Sequence, residues 1–517
     1  MAGLAKIGPA QGETRQKTIA PIDVSIAMFF DGTGNNKDNT EERLKQSSIY
    51  REKTSQDSSY ENDYSNIARL FQNYQDKKGS YTFGHYVEGM GTKKDEKDDN
   101  TGTGLGSGNT GITTRVKESC KWIADKLSDS LHSQNPKIVN RLTIDVFGFS
   151  RGAATARLFL YEIKRNGYTA KKLYIHQGYI LVDDMKQETN FSEFPKGGYL
   201  GAYCKMNTVQ INTIIIRFAG LFDCVASYSD GLFIPDSLST KKNPTDDTPD
   251  EFKDDTKELH LDAIGYLASR VIHFTAADEH RGNFPLTTIN SAGSKGSSYS
   301  FPGVHSDVGG CYQDNMKEIN NAIVSGDNDK LLKEKQRLIE EGWFKKDELY
   351  LDNIILNNLY GERIVRNTYS FIPLHLMCKL AMDFTIKDSP NNPLQFNQKS
   401  NIEDQYSIKK EDALLGRVKN KLIDYVFNNG EPIELSYTQP VKIDDAPQKQ
   451  YDTDVSYVKI QSPIKSLSHL SQDDQDLLKL RHDYLHWNTN YDTSYGYLHP
   501  MYPRLINGVR QRLILPG

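Results

Sequence analysis

Residues 211–222, INTIIIRFAGLF, constrain the fold more than any other stretch. A run this apolar suits a strand buried on both faces, as in a parallel sheet covered by helices. Residues 22–30, IDVSIAMFF, read as another strand, and residues 142–147 as a short apolar strand interrupted by Thr143 and Asp145. Each ends abruptly. The first runs into DGTGNN, where Gly32 and Gly34 forbid continuation; the third runs into GFSRG; INTIIIRFAGLF is followed directly by Asp223. Helical patterns fall between them at 113–131 and 151–165, and after them at 261–276. In the second of these, Ala153, Ala156, Leu160 and Ile163 share one face, and Asn166 and Gly167 supply the stop. Strand alternating with helix predicts an α/β fold, a mainly parallel sheet flanked by helices.

Composition narrows the function classes. The 517 residues carry 63 basic and 68 acidic side chains, a net charge of −5, so an electrostatic grip on nucleic acid is not expected. Cys120, Cys204, Cys224, Cys311 and Cys378 are scattered and form no CxxC pair, which argues against a zinc or redox site. No metal or cofactor is expected. GSGNTG at 106–111 follows a charged loop rather than a strand, so it lacks the setting of a dinucleotide-binding turn, and no GK[ST] follows to make a phosphate loop. Residues 1–20 contain no apolar core of signal-peptide length, and no run approaches the roughly 20 residues that span a bilayer. Export would need another route.

Three regions are expected: a flexible arm at 1–20, an α/β domain at 21–315 with polar inserts at 93–109 and 241–255, and an accessory region at 316–517. The last reads as largely helical at 316–341 and 351–385, with loops at 391–393 and 444–454. It is a candidate lid or membrane-docking module. EEGWFKK (340–346) and SFIPLHLMCKLAMDF (370–384) carry its apolar side chains, although helical core is the better account of the second.

The chemistry centres on Ser150. A serine hydroxyl needs a base to take its proton and a third group to orient that base. In a G-x-S-x-G elbow between strand and helix, the flanking glycines, here Gly148 and Gly152, let neighbouring elements close on the turn. An ordinary strand-to-helix turn is the alternative. Asp223, at the end of the most apolar strand, is the candidate acid, with a turn or capping aspartate as the plain alternative. Downstream lie His260, His273, His280, His305, His375, His469, His482, His486 and His499. His273 and His280 fall in or beside the predicted helix at 261–276. His305, in the glycine-rich loop FPGVHSDVGG, has the placement a general base requires. Donors for an oxyanion are expected from the Arg151 amide and from Gly32 or Thr33.

Five motifs in order, FFDGTGNN, YVEGMGT (86–92), FGFSRGAATAR, GLFDCVAS (220–227) and FPGVHSDVGGCY (301–312), resemble the type VI secretion lipase effectors of the first family. YLHWN at 484–488 is loosely similar as well. The resemblance implies an α/β-hydrolase domain and a phospholipase A that cleaves acyl esters of membrane glycerophospholipids in rival bacteria. By motif, it implies Ser150 as nucleophile, Asp223 as acid and His305 as base. It further implies delivery on a secretion spike protein without a signal peptide, and a cognate immunity protein in the producer. Cys224 stands where the family often has threonine. Two other functions remain compatible with these residues: a soluble carboxylesterase or thioesterase, and a non-catalytic secretion cargo or adaptor on a hydrolase fold.

Overall fold

Six strands run in one direction in the central sheet of the computed structural model. They are β1 (Ile22–Phe30), β2 (Thr82–Val87), β3 (Lys137–Phe149), β4 (Val209–Phe222), β5 (Ala268–Ala276) and, after a two-residue strand β6 (Leu286–Thr287) outside the sheet, β7 (Gly296–Phe301). Their spatial order is β2-β1-β3-β4-β5-β7, every pair parallel. The structure describes residues 21–53, 58–74, 80–99, 108–176, 178–226, 256–352, 358–394, 396, 401–410, 412–435, 470–489, 505–506 and 509–517. The expected N-terminal arm, the insert at 241–255 and the loop at 444–454 lie outside the described residues.

Register decides where function can sit. Phe30 is level with Gly148, Phe149 with Phe222, and Phe222 with Phe274. The carboxyl ends of β1, β3, β4 and β5 therefore finish along one edge, where open α/β sheets place their chemistry.

Alternation along the strands sends side chains to two separate cores. On one face Val24, Ile26, Met28, Leu142, Ile144 and Val146 meet helices α2 (Ile112–Ser130) and α3 (Arg151–Lys164). On the other, Phe29 stacks on Phe147 with centroids 5.2 Å apart, and this layer packs against α1 (Asn66–Asn73) and against a helix from far downstream, Phe371–Asp388. Phe384 from that downstream helix lies 5.9 Å from Phe218 of the sheet.

Three sequence expectations need correction. The span 261–276 is not one helix: after a short turn and Ile264–Leu267, residues Ala268–Ala276 form β5, which carries His273. Its Val271, Ile272 and Phe274 are buried between β4 and β7, and a short apolar run of this kind fits strand and buried helix alike by periodicity. The span 316–341 splits at Gly326 into strand β8 (Met316–Ser325) and a helix, Asn328–Glu340. The span 351–385 begins with β9 (Leu349–Asp352) and β10 (Asn358–Val365), which join β8 in a small antiparallel sheet before the helix Phe371–Asp388. Trp343 and Phe344 of EEGWFKK are buried, not presented to a membrane. Among the described residues no helix is long and apolar enough to cross one.

A buried ion pair fastens the downstream helix to the sheet. Asp145, the polar interruption in β3, accepts from Arg217 Nε at 2.9 Å and Nη2 at 2.5 Å, and Arg217 Nη1 reaches the carbonyl of Asn392, just past that helix. Removing one partner leaves the other charged and unsolvated. Arg217→Met should therefore cost about 3–5 kcal/mol in chemical denaturation, and Asp145→Leu combined with it should recover most of the loss.

Candidate active site

β3 ends at Phe149, and the next residue turns into α3. Ser150 sits in that turn at φ 58° and ψ −131°, a strained conformation for a residue with a side chain. Its amide donates to Phe222 O at 3.0 Å, and its carbonyl accepts from Val225 at 3.3 Å, so the turn is stitched to the end of β4 on both sides of Asp223. The flanking glycines follow from contact. A Cβ on Gly152 would stand 2.3 Å from Asp31 O and 2.4 Å from Phe30 O, and one on Gly148 would stand 2.6 Å from Ala153 Cα.

Asp223, fully buried, also has a positive φ, at 42°. Its Oδ2 lies 2.5 Å from His305 Nδ1. His305 opens the short helix α4 (His305–Gly309), its ring between Phe149 at 4.6 Å and Phe284 at 5.1 Å. Ser150 and His305 are also nearly buried, at 6 % and 4 % exposure, so all three side chains sit in a low-dielectric setting. Burial pushes the His305 imidazole below its ordinary value, and the Asp223 carboxylate pulls the other way. Burial also opposes ionisation of Asp223, but Arg512 and His305 outweigh it and hold the carboxyl well below the usual carboxylate range. With Asp223 ionised, the shared proton belongs on Nδ1, which leaves Nε2 as the basic nitrogen.

The loop after β1 only partly meets expectation. The Gly32 amide, one of the two candidates for the oxyanion, donates instead to Asp31 Oδ1 at 2.7 Å. Asp31 Oδ2 accepts from Tyr86 Oη at 2.6 Å, and burial pushes this carboxyl up to about 6. Thr33 is the other candidate from this loop. Its Oγ1 accepts from Arg151 Nε at 2.6 Å, which ties the loop to the start of α3. Gly89 of YVEGMGT donates to Asn35 O at 3.0 Å, so that motif braces the same loop.

Sequence reasoning missed the supports of the histidine. Asp278 Oδ2 accepts the Gly303 amide at 2.7 Å, Glu279 Oε2 accepts the His305 amide at 3.2 Å, and Asp307 Oδ2 accepts the Val304 amide at 2.9 Å. All three carboxylates are also held from the C-terminal region. Arg481 reaches Asp278 at 2.9 Å, Asn488 reaches Glu279 at 2.7 Å, and His486 Nδ1 reaches Asp307 at 2.7 Å. YLHWN therefore fixes the loop of the histidine. Arg512 was missed too. It donates to Asp223 through Nη1 at 2.6 Å and Nη2 at 2.8 Å.

With this geometry in view, the comparisons with known proteins carry weight. Residues 25–325, more than half of the chain, match the family model of the catalytic domain of Tle1-like phospholipase effectors of the type VI secretion system. The chain belongs to that family. No curated protein sequence matches this effector. Among solved structures it resembles the Tle1 effector bound to the VgrG spike of the type VI secretion system, at 19 % identity over 96 % of this chain and 94 % of the other, with a TM-score of 0.53. An uncharacterised protein from Pseudomonas aeruginosa aligns at 18 % identity over 77 % of this chain and 50 % of its own, with a TM-score of 0.35. The first match supports an α/β-hydrolase-like fold with a helical C-terminal region, and its coverage carries the likeness of fold beyond the family model.

The contacts at Gly152 are with backbone, which has little room to yield. Gly152→Ala in this effector should lower stability by about 3 kcal/mol or more. Gly416→Ala, in the helix Ala413–Phe427 with nothing within 4 Å of the added carbon, should be neutral or stabilise by up to about 1 kcal/mol. Parallel thermal melts of the two variants check this.

Proposed function

We propose that this phospholipase effector acts as a phospholipase A, cleaving acyl esters of membrane glycerophospholipids with Ser150 as nucleophile, His305 as general base and Asp223 as the acid that orients it. The observation that carries the reading is the 2.5 Å contact between Asp223 and His305 Nδ1, beside a serine in a strained elbow. His305 Nε2 takes the proton from Ser150 as its oxygen attacks the ester carbonyl. The amides of Thr33 and Arg151 receive the developing oxyanion. The protonated histidine returns its proton to the departing alcohol oxygen, and lysophospholipid leaves. Water, deprotonated by His305, attacks the acyl-serine, and fatty acid is released as the serine oxygen recovers its proton.

Membership of the secretion-effector family supports a membrane lipid as substrate over a soluble ester. The fold likeness to an effector seen on a VgrG spike supports loading on a spike protein. A cognate immunity protein in the producing cell, and action in the periplasm or at the membranes of a target cell, belong to the same reading. A soluble carboxylesterase would use this triad equally well, and presentation of substrate separates the two: a phospholipase gains rate when its substrate is offered as liposomes.

Ser150→Ala should remain folded and lose activity on the order of a million-fold, because the nucleophile and base act as one unit. Product analysis on defined phospholipids is the check. Wild type should release fatty acid and lysophospholipid; the variant should release neither at a measurable rate. Lipolysis by the variant at the wild-type rate overturns the assignment.

A further inference from the structure

Arg512 stands 289 positions beyond Asp223 in the chain, yet its guanidinium faces that carboxylate edge on, Nη1 to Oδ1 and Nη2 to Oδ2. Its Nε donates to Phe284 O at 2.8 Å, and the ring of Phe284 packs against His305. The side chain is 8 % exposed. The surrounding backbone is fixed as well. Ile514–Leu515 pairs with β6, Leu286 donates to Leu513 O at 2.8 Å, and Thr288 donates to Leu515 O at 2.9 Å. Arg512 is thus delivered to the site by its own strand pairing.

Two consequences follow from elementary electrostatics. A planar fork bound to both carboxylate oxygens stops the carboxylate rotating, which keeps Oδ2 aimed at His305 Nδ1. A cation on the far side of Asp223 also offsets part of the negative charge that would otherwise stabilise a protonated imidazole. The other charges near His305 are already engaged: Glu279 with Arg281, Asp307 with His486, and Asp278 with Arg481. Arg281 itself lies over the Phe284 ring, 3.4 Å from its centroid, and its charge also disfavours protonation of His305.

We propose that Arg512 is a positioning residue of the triad, one that orients Asp223 and, by partly neutralising it, keeps His305 in its basic form at neutral and mildly acidic pH. The proposal rests on the Ser150–His305–Asp223 reading for its catalytic meaning, but the geometry of the clamp does not depend on it. The buried, ionised state of Asp223 fits it, since Arg512 is the largest of the influences that hold its proton off.

The test compares Arg512→Gln and Arg512→Lys with wild type by two readouts. One is the acid limb of kcat/KM on a soluble short-chain ester. The other is NMR titration of the His305 imidazole, assigned with a His305→Gln spectrum, which needs no activity. Removing the cation leaves Asp223 free to hold a proton on His305, so Arg512→Gln should move the titration and the acid limb up by about one pH unit. Lysine keeps the charge and loses the fork. Arg512→Lys should therefore titrate near wild type while kcat falls roughly tenfold with KM unchanged. A merely structural residue would lower the yield of folded protein without moving the titration. If Arg512→Gln folds and its His305 titrates as in wild type, the proposal is wrong. Should Arg512→Gln not fold, the lysine variant decides: a lowered kcat beside a wild-type titration supports the clamp, and a wild-type kcat overturns it. Absence of ester hydrolysis by the wild-type protein would count against the proposed function, and the NMR comparison would still judge Arg512.

Discussion

A carboxylate with no exposure to water is the constraint around which this site is built. An ion of that size carries a desolvation penalty of several kcal/mol, and it survives ionised only when every oxygen has partners. Asp223 Oδ1 has the Ala276 amide at 2.9 Å and Arg512; Oδ2 has His305 and Arg512. Those partners come from the end of β5, from α4 and from the strand pairing near the end of the described chain. The same requirement that stabilises one anion therefore draws four separate parts of the sequence to one point. Backbone strain follows from it as well. Asp223 and Ser150 both adopt positive φ next to their strands, and such angles persist only where the surroundings over-determine them.

The sheet makes that convergence possible because its strands end level. Phe149 opposite Phe222, and Phe222 opposite Phe274, put the residues that follow β3, β4 and β5 within reach of one another without any loop having to travel. His273 shows how closely the strand ends are coupled. Its Nε2 accepts the Cys224 amide at 3.1 Å, and burial lowers its imidazole to about 3, so it stays neutral beside the acid. An imidazole that never charges can support the backbone of Asp223 without competing with His305 for its carboxylate. Cys224, at the position where the family often carries threonine, is buried, and Arg157 lies 3.7 Å from its sulfur.

What could be read from sequence is what short-range physics determines. The strand 22–30, the elbow at Ser150 and the helix after it depend on local apolar runs and on glycine, and each stands where the letters put it. β5 was misread because ASRVIHFTA is short, buried throughout its last six residues, and compatible with either period. The contact of the Gly32 amide with Asp31 was not legible, because nothing in DGTG says that Asp31 will bend back to take it. Arg512 and the carboxylates at 278, 279 and 307 were invisible for a different reason. Apart from the three-residue contact of Asp307 with Val304, their pairing spans 25 to 289 positions, and a charged residue in a polar stretch carries no signal of what it will meet.

The C-terminal region is tied into the catalytic machinery through charge as much as through packing. Three carboxylates hold the backbone around His305, and a carboxylate buried on behalf of one loop needs a second donor to stay ionised and fixed. Arg481, His486 and Asn488 supply those donors, while Arg512 does the same for Asp223. Losing them would leave several anions under-satisfied at the base of the site, even with Ser150, Asp223 and His305 intact. The match to the family model stops at residue 325, but the physical dependence of the site continues to residue 512. A fold whose histidine loop is held from so far along the chain can adopt this geometry only after the last of those segments has docked.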